Sequence, residues 1–573
     1  MGGAKNSSPL QPYSRSGSPV AQNPVFHVRK YEMPNKFEEL KKAKHPLDVL
    51  PDLYRYAQEG WEAITDDDKE RLKWYGVFFR KRTPGHFMMR IRIPNGIATS
   101  AQVRELAHIT RDYGREVIDI TTRQQVQLRW MRIEDIPDIL QRLAAVGLTS
   151  MQTGMDNVRN VVGCPLAGLT LYELFDASPV VRAFTERILG DRVLSDLPRK
   201  FNVTITGCLE NCTHAETQDI ALTPATKLID GTTQVGFNVR IGGKMGSGGM
   251  TVATPLDAFV TPDEAVEVCT QITLLFAEHG PRDTRGRARL AFLVEDWGIE
   301  RLRAELERRL GRPLLPAGQD MRGRHHTDHL GIVPQKDAGL YAVGLCVPVG
   351  RTSAAQFEEL ARLADQYGSG EVRFTVGQNV LLVNVPDRLL PALLDEPLLQ
   401  ELRPDPSPAM RGTVSCVGID YCNLALAETK ARALEVIHHL ERTVPFSDAL
   451  AGRPGVRRSM RPLTMYWSGC PAGCGNHQAA DIGFLGGRTR VNGSVIETFD
   501  IFVEGRTGPN PQSGEKVLEN VPAEELPGIV EQLAQAHARG QSLREAAAEI
   551  AAQLAGNAVP FPAQEPAQAA GAG

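Results

Sequence analysis

The chain of 573 residues contains no apolar run approaching the roughly 18 residues needed to cross a bilayer, so nothing in it argues for a membrane helix. It has no charge excess either. Its 64 Lys and Arg against 68 Asp and Glu leave a formal net charge of −4, without the basic stripe that would take up nucleic acid. Cysteine is sparse and odd in number at nine. Four of these fall in two close pairs and the rest are dispersed, which excludes a disulfide scaffold and points to metal ligands in a reducing, cytoplasmic setting. The opening residues, rich in Ser, Pro and Gly, lack the apolar core of a secretory signal, and 1–30 and 556–573 both read as disordered tails. A glycine-rich loop at 240–250 lacks the strand–GxGxxG–helix context of a nucleotide site, and no flavin or nicotinamide module is present.

What is there centres on 416–474. Cys416-x5-Cys422 and Cys470-x3-Cys474 flank a helix-forming segment, which is how two loops bring four thiolates around one centre. Four soft sulfur ligands select an iron–sulfur cluster or zinc. Glycines at 469, 473 and 475 and the proline after Cys470 let the backbone lie close to such a centre.

The chain also repeats itself. Alternation in HFMMRIRI (86–93) predicts a strand with Phe87, Met89, Ile91 and Ile93 on one face and Met88, Arg90 and Arg92 on the other. A helix capped by Ser100 follows, then strands at 117–121 and 124–131 and a helix at 136–146, giving β-α-β-β-α, a ferredoxin-like half. Residues 340–395 repeat the order, with Pro94, Tyr113 and Gln124 matched by Pro348, Tyr367 and Gln378. The segments after each half correspond as well. Aligning 163–173 with 421–431 sets Cys164, Cys208 and Cys212 against Cys422, Cys470 and Cys474, with Val158 in the place of Cys416. Three ligands cannot close a four-cysteine site, so the cluster is expected in the second copy, and the three first-copy cysteines read as small packed residues.

The charges show the opposite asymmetry. Arg90, Arg123, Arg159 and Lys200 of the first copy fall against Gly344, Gly377, Val417 and Pro462. Arg123, Gln125, Gln127 and Arg129 share one strand face whose counterpart carries no charge, so this polar face is either solvated or pressed on something anionic. The arginines at 282–289 read either as a solvated basic turn or as part of the same anion pocket.

These motifs, with FMMRIRIPNG, TTRQQVQ and LPRKFNVTITG, resemble the nitrite and sulfite reductases that couple sirohaem to a four-iron cluster, over about 70–550. The resemblance implies an α+β, three-domain, internally duplicated fold in which two ferredoxin-like halves form one domain. The halves would be 70–150 and 330–400, followed respectively by a sirohaem and substrate domain at 151–325 and a sirohaem and [4Fe–4S] domain at 401–555. It implies that Cys416, Cys422, Cys470 and Cys474 bind the cluster, with Cys474 bridging to the sirohaem iron. Arg123, Gln125, Arg129 and Arg92 would hold the carboxylates of sirohaem, and Arg90, Arg159, Lys200 and Asn202 would line the face that receives a small anion. The implied activity is assimilatory six-electron reduction of nitrite to ammonium by a monomer fed from ferredoxin, with sulfite reduction to sulfide as the alternative. Lys-x-Asn at 200–202, where sulfite reductases of this family show Lys-x-Lys, favours nitrite, because the dianion gains from a second ammonium. The loop with Arg453, Arg457, Arg458 and Arg461 is expected to steer the acidic donor.

Overall fold

The computed structural model describes residues 35–246, 248–323, 327–445, 463–491, 493–508 and 510–557. The two expected tails, apart from the last turn of the C-terminal helix, and the arginine loop at 453–461 lie outside the described residues.

Among the described residues the β structure forms four five-stranded sheets. Two of them belong to the ferredoxin-like halves, and neither half completes its own sheet. The short strand Ile97–Thr99 of the first half pairs antiparallel with Glu371–Phe374 of the second, and Arg351–Ser353 pairs with Val117–Ile120 of the first. The helices Ser100–Tyr113 and Ala354–Tyr367 pack on each other, so one hydrophobic core runs from Val49 to Leu148 and from Val343 to Leu402. That core begins earlier than position 70. Val49, Leu53 and Tyr56, from the helical segment before the first half, are fully or almost fully buried in it.

The duplication extends to backbone detail. Both paired helices start in a capping box, Thr99 with Gln102 and Ser353 with Gln356, so the first cap is Thr99 and not Ser100. Asn95 and Val349 both take positive φ, 57° and 48°, in the turn before these helices. For β-branched Val349 such a conformation is costly, and tertiary packing holds it.

A matched glutamine pair joins the halves to the following domains. Gln124 donates to Phe374 O of the opposite half and to Gly163 O, and accepts from Gly163 N; Gln378 does the same with Ile120 O, Ser415 O and Ser415 N. Gly163 is therefore the counterpart of Ser415, and Cys164 that of Cys416. The parallel pairing of Val162 with Thr204 and of Val414 with Tyr466 gives the same register. This corrects the alignment of Cys164 with Cys422 and of Val158 with Cys416: matching leucines and alanines drew the sequence comparison six residues out. Arg159, five residues before Cys164, now faces Arg411 in the repeat and not Val417. The charge asymmetry survives, because Arg411 is neutralised by Asp328 while Arg159 donates only to backbone carbonyls.

Behind each half lies a further domain with its own core, one drawn from 158–314 and one mainly from 409–550. In each, two parallel strands bracket a cysteine loop: Val203–Ile205 and Ile220–Ile229 around Cys208 and Cys212, Met465–Ser468 and Ile482–Val491 around Cys470 and Cys474.

Between the domains sits one fully buried carboxylate. Asp119 pairs with Arg129 at 2.7 Å, Arg351 at 3.0 Å and Lys430 at 3.5 Å, tying both halves to the helix Lys430–Thr443. Burial alone pushes this carboxyl up, yet the three cations outweigh it and hold Asp119 well below the usual carboxylate range. A depressed folded-state pKa stabilises above the unfolded value near ~4 and is lost only as pH falls through the lower folded value. Asp119→Ala, which strands the buried Arg129 and Lys430 and the half-buried Arg351, is expected to cost about 3–5 kcal/mol across neutral pH, read as a lower denaturant midpoint.

Candidate functional site

Two neighbouring arginines, Arg90 of the first half and Arg159 of the domain after it, start the site. The strand His86–Ile91 carries Arg90, whose Nη1 donates to Thr153 O at 3.0 Å. The Arg159 Nη1 donates to the same carbonyl at 3.0 Å, and its Nη2 to Met155 O at 2.8 Å. Two guanidinium groups thus converge on one neutral oxygen with no carboxylate bonded to either among the described residues. Arg123 joins them from the turn before strand Val126–Arg132, its Nε donating to Asn202 Oδ1 at 3.2 Å. Phe201 is buried in the core beside Phe276, which turns Lys200 and Asn202, one residue either side, to the opposite face. Burial first, and then the charges of Arg289 and Arg123, push the Lys200 ammonium well below its ordinary pKa. Arg90, Arg123 and Arg159 are lowered by burial and by neighbouring cations. The structure therefore brings together four half-buried cations and Asn202 in one recess.

The cysteine loop of the second copy closes on that recess. Thr122 Oγ1 donates to Cys474 O at 3.1 Å. Arg90, Arg123 and Lys200 all lie within electrostatic reach of the Cys474 thiol. The glycine-rich loop has its use here. A Cβ on Gly246 would stand 2.7 Å from Ala472 O, and one on Gly473 would stand 2.8 Å from Gly246 Cα, so only two glycines let the loops meet.

The four cysteines lie on loops with amides turned toward sulfur, Gly469 N to Cys416 Sγ at 3.2 Å and Leu424 N to Cys422 Sγ at 3.4 Å. Burial raises Cys416 to about 11 and Cys470 to about 12, with the Cys474 charge adding to both. Such thiols become thiolates when a cation binds them, so this donor set fits a metal cluster.

A second group of residues surrounds Tyr421, next to Cys422. The guanidinium groups of Arg80, Arg129 and Arg351 stand 5.0, 5.0 and 4.9 Å from its ring centre. Arg80 Nε and Nη1, Arg129 Nη1, Arg159 Nε and Arg351 Nη2 are buried with no hydrogen-bond partner among the described residues. Orphaned guanidinium donors of this number ask for an anionic acceptor, and a polycarboxylate macrocycle supplies one. Arg80, Arg351 and Tyr421 were not legible in the sequence; Arg80 follows a three-residue strand with no periodicity to mark it.

Other expected contacts turn inward. Arg92 is 2% exposed and donates to the carbonyls of Gln152, Val158 and Arg159, so it fixes the Arg159 segment and has no reach to a cofactor. Gln125 donates to Ile91 O, and Arg129 is engaged with Asp119 and Gln127, leaving one nitrogen free. The face bearing Gln125, Gln127 and Arg129 is packed, not solvated. Arg282, Arg285 and Arg289 are paired with Glu38, Asp156 and Asp219, so they brace the domain, although the charge of Arg289 still bears on Lys200.

The chain matches the nitrite and sulphite reductase 4Fe-4S domain over 154–314 and the nitrite/sulfite reductase ferredoxin-like half domain over 79–146 and 333–399. It belongs to the nitrite and sulfite reductase family. Its relatives include the ferredoxin–nitrite reductase of Synechococcus elongatus, 46% identical over 87% of this chain and 96% of that protein, and the assimilatory ferredoxin-dependent nitrite reductase of Haloferax mediterranei, 40% identical over 90% and 91%. The solved structure of the Mycobacterium tuberculosis NirA protein superposes with a TM-score of 0.82 at 32% identity, covering 91% of this chain and 97% of that one. The family's cofactors, sirohaem and a [4Fe–4S] cluster, agree with the orphaned guanidinium donors and the cysteine quartet.

Proposed function

We propose that this chain is an assimilatory nitrite reductase that takes electrons from ferredoxin and reduces nitrite to ammonium. The observation that carries this reading is the recess of Arg90, Arg123, Arg159 and Lys200, free of bonded carboxylates among the described residues, facing Cys474. Bound sirohaem and cluster supply the six-electron redox chemistry. Cys416, Cys422, Cys470 and Cys474 hold the cluster; Arg80, Arg129 and Arg351 offer orphaned donors to the macrocycle's carboxylates, and Arg123 offers the nitrogens left by its bond to Asn202. Arg90 and Arg159 draw a small anion into the recess and stabilise negative charge on its oxygens. Lys200, whose ammonium is destabilised by its surroundings, is suited to hand on protons. Asn202 keeps Arg123 in place through its amide oxygen and presents no second ammonium, which suits a monoanion. The nitrite reductase names of the relatives support nitrite over sulfite.

All of these groups come from one chain, which supports action as a monomer. No helix among the described residues is long and apolar enough to cross a membrane, and nine unpaired cysteines suit a cytoplasmic setting. Parallel assays of reduced ferredoxin consumption with nitrite and with sulfite, with ammonium measured directly, test the function. Faster turnover of sulfite would overturn it.

The donor's approach is marked beside Cys422. Leu424 and Leu426 are 68% and 40% exposed, and Lys81, Arg82 and Arg488 are exposed around them. Lys81 N donates to Asn423 and Arg488 to Leu426 O, which fixes both basic segments to the cysteine loop. An apolar patch rimmed by cations suits an acidic carrier. The double variant Lys81→Glu, Arg488→Glu is expected to raise the KM for ferredoxin on the order of tenfold at low salt and less at high salt. Activity with a small dye donor should stay unchanged; an equal fall there would make these residues structural.

A further inference from the structure

The first copy keeps three of the four cysteine positions. Cys164, Cys208 and Cys212 stand where Cys416, Cys470 and Cys474 stand in the repeat, and the residue six places after Cys164 is Thr170, where the cluster copy has Cys422. A cube cannot close there. Yet the three sulfurs lie within 4.8 Å of one another and each residue is at most 2% exposed. A single zinc with Zn–S of about 2.3 Å sets its sulfurs ~3.8 Å apart in a tetrahedron, so this spacing needs only a small contraction to fit one ion.

Further features of the surroundings point to a ligand. The backbone N–H of Glu210 donates to Cys208 Sγ at 3.4 Å, as Leu424 N does to Cys422 Sγ in the cluster copy. His329 is 3% exposed, and its Nε2 has no hydrogen-bond partner among the described residues. Its ring lies within electrostatic reach of the Cys208 thiol but outside the 4.8 Å grouping of the three sulfurs, so it would have to close on the ion as it binds. A buried imidazole nitrogen left open is costly unless something binds it. Arg373, itself paired with Glu371, donates from Nη1 to Pro165 O and Ala167 O, which fixes the turn after Cys164.

We propose that Cys164, Cys208 and Cys212, with His329 as fourth donor, bind one structural Zn²⁺ ion in the first copy, separate from the redox centre. Three cysteines and one histidine form a closed zinc set, and the ion would displace the three thiol protons on binding. It would cross-link the turn after Cys164, the loop 208–212 and the segment at 329, adding to the isolated β-bridges Glu173–Cys208 and Thr170–Gln335 that join neighbouring residues.

The test uses the full-length holoenzyme from zinc-supplemented cells. About one zinc per chain is expected beside the iron, resistant to chelator in the native state and released on unfolding with a thiol reagent. Its X-ray absorption edge should show three sulfurs at about 2.3 Å and one nitrogen at about 2.0–2.1 Å. Cys208→Ser should lose the zinc while the visible bands of sirohaem and cluster remain. His329→Ala should weaken retention by about tenfold or more. Cys269→Ser, at a lone buried thiol in helix Pro262–His279, should change nothing. If Cys208→Ser does not fold, the edge spectrum of the wild type decides alone. Zinc below a tenth of an equivalent, a disulfide among the three thiols, or zinc lost from Cys416→Ser but kept by Cys208→Ser would each overturn the proposal.

Discussion

Cys416→Ser is expected to strip the enzyme of its cluster and of the haem coupled to it, with the visible spectrum falling to baseline and nitrite reduction to background. Serine offers a hard oxygen where iron requires soft thiolate. The site cannot adapt: Cys416 is fixed by the Gly469 amide at 3.2 Å, and the preceding Ser415 is clamped by Gln378 on both its N–H and its carbonyl. Cys208→Ser in the first copy should leave both spectra close to wild type. Iron content and absorbance of the two purified variants, measured side by side, decide the matter. Equal loss from both would mean that the copies share the cluster's support, contrary to the division drawn from the register.

The second large effect concerns substrate choice. Lys200→Ala is expected to lower kcat on nitrite by about 10²–10³-fold, the range for removing one preorganised donor from a closed site. Asn202→Lys should shift the ratio of kcat/KM toward sulfite on the order of tenfold, since a second ammonium favours a dianion. Asn202 also accepts from Arg123 Nε, so its replacement frees that guanidinium as well. Asn202→Ala separates the two causes: it releases Arg123 without adding charge, and should depress both activities with little change in their ratio. An unchanged ratio in Asn202→Lys would remove this residue from the choice of anion.

The duplication, the cysteine quartet and the basic set were all legible in the chain, because each is a matter of residue type and spacing. Alternation marked Phe87, Met89 and Ile91 as core, and they are fully buried. The same alternation set Arg90 and Arg92 on one face but could not say what lies across it. Arg92 meets the carbonyls of 152–159 and is spent on structure, while Arg90, two residues away, reaches the recess. Exchange of strands between the halves carries no local signal, since Arg351 finds Asp119 across 232 residues. The register of the repeat is ambiguous in the sequence for a related reason: similar small apolar residues align in several ways, whereas a glutamine clamping the backbone on both sides allows one.

By itself the sequence determined that this protein is built from two copies of one plan, with thiolates in one and cations in the other, because ligand spacing and charge are written in residue order. Only the tertiary structure decided which arginines keep free donors, which glycines let two loops touch, and that Cys164 answers to Cys416, because burial and partnership are properties of contacts between segments far apart in the chain.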